Sequence, residues 1–152
     1  MNEADRSALS ILVAEDSDED FFTLTRILKK LAVTYPITRC VKGEEILDFL
    51  YRRGKYTYLA DAMLPSLILL DLNLVGLDGR VVLERLKQDA TLKHIPVVVL
   101  TTSSNPTDIT FCYDRGANSD VLKPVDLKRF TQTIQWLVGY WFEAVVLPQH
   151  VE

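Results

Sequence analysis

The sequence predicts an α/β domain built on an open parallel sheet, and three observations carry that expectation. Short apolar runs alternate along the chain with stretches whose apolar residues recur at helical spacing. Five such runs interleave with five helical patterns, an order that produces β–α–β units and hence parallel strands. Three of the runs, 11–13, 67–70 and 97–100, are apolar without interruption, as strands covered on both faces are.

The first strand is read in Ser10–Ala14 (SILVA), which stops at Glu15-Asp16. Ser17 then offers a helix cap, with Asp20 three residues on completing a capping-box pattern. Phe21, Phe22, Leu24, Ile27, Leu28 and Leu31 follow at helical spacing. Ile37–Val41 (ITRCV) alternates apolar and polar residues, which fits a strand near a sheet edge. Gly43 breaks it, and Glu45–Arg53 carries Ile46, Leu47, Phe49 and Leu50 on one helical face. The stretch 54–64 (GKYTYLADAML) reads either as loop or as an extension of that helix. After Pro65, Leu67–Leu70 is a continuous apolar run closed by Asp71. Asp78-Gly79 reads as a turn, and a helix to Lys87 follows with Val81, Val82, Leu83 and Leu86 inward. Pro96 introduces Val97–Leu100, ended by Thr101. Asn105-Pro106 opens a weaker helix to about Arg115, stopped by Gly116. Val121-Leu122 is a short last strand before Lys123-Pro124, and a final helix is expected from Asp126 through Phe142.

Composition narrows the function classes. A length of 152 residues fits one domain, 1–152, and neither repeat nor linker divides it. Apolar residues at 48% and charged residues at 25% exclude disordered and fibrous classes. The 21 acids outnumber the 17 bases without a basic block, which argues against nucleic acid as a partner. Cys40 and Cys112 form neither a disulfide framework nor a metal-ligand spacing, so a reducing, cytoplasmic compartment is expected. No apolar run approaches the roughly 20 residues of a membrane helix, and the polar start MNEADRSALS is no secretory signal.

The polar residues that matter sit at strand ends. Glu15 and Asp16 follow the first strand, Asp71 ends the third, Thr101 the fourth and Lys123 the fifth. In an open parallel sheet, ligands bind outside the carboxyl ends of the strands, so these groups are expected at one rim. Clustered carboxylates repel unless a cation neutralises them, and hard oxygen ligands favour Mg²⁺. Asp71 and one of the acid pair could ligate it directly, the other acting through water, with the Asn73 main-chain carbonyl as a further ligand. A lysine and a threonine hydroxyl opposite the metal suit a phosphoryl group, for which an aspartate is a competent nucleophile. Taken singly, each residue has a plainer reading. Acids at 18–20 favour a helix N-terminus, Lys123 alone is a surface lysine, and Thr101 alone is a loop residue.

ILVAEDS, LILLDLNL followed by DG, VVVLTTS and VLKP, in this order and spacing, resemble the receiver domain of two-component response regulators. The resemblance covers roughly residues 9–138 and leaves 139–152 as a C-terminal extension. It implies a flavodoxin-like, doubly wound sheet of order 2-1-3-4-5 with five helices. It also implies Asp71 as phosphoacceptor, Glu15 and Asp16 as magnesium acids, Thr101 as switch hydroxyl, and Lys123 before a cis Pro124. The implied protein catalyses its own phosphorylation and dephosphorylation and is otherwise no enzyme. The stretch 54–64, HIPVVVLTTS and the tail VGYWFEAVVLP are similar to the stand-alone regulators of cyanobacterial phytochromes. That implies a phytochrome histidine kinase as partner, a homodimer, and no following output domain.

Three positions depart from the pattern. Val75 stands where a proline is usual, which is expected to loosen the loop after Asp71. Asp120 stands at the aromatic switch position, and a carboxylate is costly to bury unpaired, which puts relay through that position in doubt. Thr102 replaces a smaller residue and is expected to narrow access to Asp71. Two other readings compete: a magnesium phosphatase, weakened by Asn73 where a second aspartate is needed as general acid, and a phosphorylation-independent interaction module on the same fold. The apolar tail around Trp136, Tyr140, Trp141 and Phe142 either packs on its own domain or forms an interface. His94 and His150 are expected to be solvated, and both cysteines to be ordinary thiols.

Overall fold

The computed structural model describes residues 9–148; His150 and the ends of the chain lie outside them. The strands are β1 (Ile11–Ala14), β2 (Ile37–Cys40), β3 (Leu67–Asp71), β4 (Val97–Thr101) and β5 (Ser119–Leu122). The α-helices are α1 (Asp18–Lys30), α2 (Gly43–Tyr51), α3 (Gly79–Gln88), α4 (Pro106–Asp114) and α5 (Leu127–Val138). All pairings are parallel, in the order β2-β1-β3-β4-β5, as the motifs imply. Among the described residues no helix is long and apolar enough to cross a membrane.

Alternation along the strands splits the core into two layers. Leu12, Ala14, Ile68, Leu70, Val97 and Val99 face α2, α3 and Cys112 of α4. Ile11, Val13, Leu67, Leu69, Val98 and Leu100 face α1 and α5. Because β1, β3 and β4 are buried on both sides, their sequences carry no polar gaps.

The sequence misjudges the ends of elements. Residues 54–64 do not extend α2: left-handed Arg52 (φ 57°) stops the helix, a 3₁₀ helix covers Gly54–Leu59, and 60–64 is loop. The Arg52 guanidinium then donates to the Phe49, Ala62 and Met63 carbonyls and pins the connection to β3. Strand β5 begins at Ser119, two residues early, because an edge strand need not read as apolar. Helix α5 ends at Val138, and a wider π-type turn, Gly139–Ala144, carries the chain on. That turn rotates Phe142 back into the core, against Tyr35 with ring centres 4.9 Å apart. The peptide bond before Pro124 is trans, not cis, the form such bonds favour by about 0.5–1 kcal/mol. Cys40 and Cys112 are buried free thiols, and burial pushes them up to about 12 and about 11.

Candidate functional site

Strand register builds the site. Ala14 pairs with Leu70, Asp71 with Leu100 and Thr101 with Leu122, so the strands end together at one rim. Glu15, Asp71 and Thr101, all expected there, are the buried polar residues of the described chain. Gly79 closes the approach from below: a Cβ there would lie 2.5 Å from the Asp71 carbonyl oxygen, so α3 can start hard against the end of β3.

Lys123 is the centre of the cluster. Its Nζ donates to Asp71 Oδ2 at 2.9 Å, to Asp20 Oδ2 at 3.3 Å, and to Glu15 Oε1. Asp71 Oδ1 accepts the Asn73 N–H at 2.9 Å, and Glu15 Oε2 accepts the Ser17 N–H at 3.3 Å. Glu15, Asp16 and Asp71 each offer a carboxylate oxygen, and these atoms lie within 4.8 Å of one another.

Three carboxylates therefore share one ammonium, with that of Asp16 close by. Burial pushes Glu15 up to about 7; its bond to Lys123 opposes this and neighbouring Asp71 adds to it. Burial also works against the Lys123 charge, but bonds to Glu15 and Asp71 outweigh it and hold the ammonium above its usual range. At neutral pH the proton thus stays on the lysine, and the cost of surplus negative charge falls on Glu15. Hard oxygen donors with uncompensated charge are the donor set of a divalent cation, and the three acids fit one.

Other expected residues are placed differently. Thr101 is buried at the end of β4, but its hydroxyl accepts the Ser103 N–H at 3.1 Å rather than joining Lys123. Thr102 is exposed. Val75 does not leave its loop untethered: it forms an isolated parallel bridge with Lys42, and its carbonyl accepts the Gly43 N–H at 3.3 Å. A proline, lacking the N–H, cannot supply the donor half of such a bridge. Gly76, at φ +79°, turns the loop beside the Glu44 carboxylate.

Asp20 is the residue that sequence reasoning misses. Ser17 Oγ accepts the Asp20 N–H, so half of the capping box exists. The reciprocal half does not, because the Ser17 N–H goes to Glu15 and the Asp20 carboxylate goes to Lys123. The available signal was its place in the first turn of α1, directly after the Glu15-Asp16 pair that ends β1.

Asp120 lies under α4, where one carboxyl oxygen is buried without a partner. Burial raises it, the Cys112 thiol partly offsets that, and Asp108 raises it further. Its N–H donates to the Tyr113 hydroxyl. At the other flank, Leu137, Phe142 and Leu147 pack inward, whereas Trp136 (68% exposed) and Tyr140 (55%) face out beside Val121 and Trp141 along a shallow groove. The tail thus packs partly on its own domain and leaves Trp136 and Tyr140 exposed.

The response regulator receiver domain model matches residues 11–135. The chain is 38% identical over 138 residues to response regulator Rcp1 of Synechocystis, covering 91% of this chain and 92% of that one. A crystal structure of the Mn²⁺-bound form of Rcp1 superposes with a TM-score of 0.85, at 38% identity, over 93% of this chain and 99% of that chain. A phosphorylated cyanobacterial phytochrome response regulator, RcpA, gives 0.86 at 37% identity over the same shares. With the sheet order, the rim of acids and the lysine already in place, these likenesses settle the family: the chain is a member of the response regulator receiver domain family.

Proposed function

We propose that this chain is a phosphoaccepting response regulator that takes its phosphoryl group on Asp71. The observation that carries this is the Lys123 ammonium seated 2.9 Å from a buried Asp71 carboxylate, beside two further acids suited to a cation. Mg²⁺ is the proposed ion, held by the Glu15, Asp16 and Asp71 side chains and the Asn73 main-chain carbonyl, and it would supply charge neutralisation at the phosphoryl oxygens.

An Asp71 carboxylate oxygen attacks phosphorus. The bond from phosphorus to the donor imidazole nitrogen breaks, and its electron pair leaves with the imidazole, which takes up a proton from solvent. Lys123 and the Thr101 hydroxyl bond the phosphoryl oxygens, the latter after leaving Ser103. Attack of water on phosphorus later returns the carboxylate and releases phosphate. No other turnover is proposed.

The donor proposed is a sensor histidine kinase, specifically a phytochrome, supported by the likeness to the regulators named above. Residues 9–138 form the receiver core and 139–152 an extension, in a cytoplasmic protein. The outward Trp136 and Tyr140 support a homodimer seam along α5. Asp120, with a carboxyl where the aromatic switch is expected, favours a second reading: an interaction module independent of phosphorylation. Radiolabelled acetyl phosphate with Mg²⁺ separates the two. Wild type is expected to take label and Asp71→Asn to take none; equal labelling of both contradicts the assignment.

A further inference from the structure

On the reading that Asp71 accepts a phosphoryl group, we infer that Asp20 is a positioning residue that holds Lys123 before phosphorylation and competes with the arriving phosphoryl oxygens for it. An ammonium has three hydrogens. Here three carboxylates, those of Glu15, Asp71 and Asp20, are their acceptors. A phosphoryl oxygen can therefore reach Lys123 only if one carboxylate lets go.

The three are not equivalent. The Glu15 and Asp71 side chains are 7% and 10% exposed, and releasing either leaves a buried charge without its partner. Asp20 is 49% exposed and holds the lysine by the longer 3.3 Å contact. Its release costs least, because water replaces the ammonium. Repulsion drives it further: Asp20 lines the same small cavity as Asp71, so a phosphoryl dianion arriving there faces its charge directly.

Its position is fixed by local structure, not by chance rotation of an exposed acid. Ser17 caps the Asp20 N–H, and Leu24, one turn along α1, is buried in the core that includes Phe130. The neighbouring Glu19 carries the same charge on the same helical turn but is exposed and does not bond Lys123. That pair makes contact and net charge separable.

The test is calorimetric titration of full-length protein with beryllofluoride, which mimics a phosphoryl group on aspartate, in saturating Mg²⁺. Asp20→Asn is expected to bind it about two- to fivefold more tightly than wild type, the range a partly exposed ion pair spans. Asp20→Glu, which can reach the lysine again, should return toward wild type. Glu19→Gln should stay at wild type, which a general charge effect or a purely structural role of the helix end does not allow. Unchanged affinity in Asp20→Asn, or equal gains in Asp20→Asn and Glu19→Gln, overturns the role of Asp20 alone. Failure of wild type to bind beryllofluoride overturns the phosphoacceptor reading and this one with it.

Discussion

Two half-buried lysines sit at opposite ends of the same sheet, and each gives its three hydrogens to three oxygens. Lys123, past the carboxyl end of β5, bonds Glu15, Asp71 and Asp20. Lys87, near the starts of β4 and β5, bonds the Lys93 and Ile95 carbonyls at 3.1 and 2.9 Å and the Asn118 side-chain oxygen at 3.1 Å. The count of bonds is equal, but the charge is not. Neutral oxygens leave burial to push Lys87 down to about 8, whereas carboxylates hold Lys123 up. Lys87 ties loop ends together and leaves no surplus of acids around it. Lys123 sits among more acids than it can neutralise, and that surplus makes its rim receptive to a cation and then to an anion. Bond geometry alone does not mark a functional site; a surplus of carboxylates over their one cation does.

Replacing each lysine sharpens the contrast. Lys123→Met in metal-free buffer should be the more damaging, costing about 3–5 kcal/mol because buried carboxylates lose their partner. Adding Mg²⁺ should restore part of that stability in urea melts; a melt indifferent to Mg²⁺ contradicts a cation site at these acids. Lys87→Met should cost about 1–3 kcal/mol, the price of unpartnered carbonyls, and show no such Mg²⁺ response. pH separates them again. Lys87 has its charge disfavoured in the folded state, so its penalty is full below pH 8 and is relieved as pH rises from about 8 toward the unfolded value of 10.5. Wild type should therefore gain stability relative to Lys87→Met between pH 7.5 and 10; a difference that shrinks over that range contradicts the burial effect.

The same contrast explains what the sequence reveals. Strands β1, β3 and β4 are legible because burial on both faces leaves them no polar residue before their last position. Glu15 and Asp71 are legible because they directly follow or end such a run, Lys123 because it follows the short apolar Val121-Leu122, and strand register does the rest. Asp20 is not, because an acid in the first turn of α1 is already explained by capping and by the helix dipole. Only the tertiary position of Lys123, 103 residues away, distinguishes it. The tether of Val75 to Lys42 is hidden for the same reason: a single bridge between two loops leaves no periodic trace. The π-type turn at 139–144 continues a helical pattern, and only the inward Phe142 records the change of winding.

The central claim is that Asp71, and no other acid of the rim, forms the acyl phosphate. Borohydride reduces an aspartyl phosphate to homoserine, so treating the protein after acetyl phosphate and Mg²⁺, followed by peptide mapping, reads the position chemically. Homoserine at Asp71, absent when Mg²⁺ is chelated, is the predicted result. Homoserine at Asp16 or Asp20 instead, 5-hydroxynorvaline (the reduction product of a glutamyl phosphate) at Glu15, or a label that resists borohydride, contradicts it.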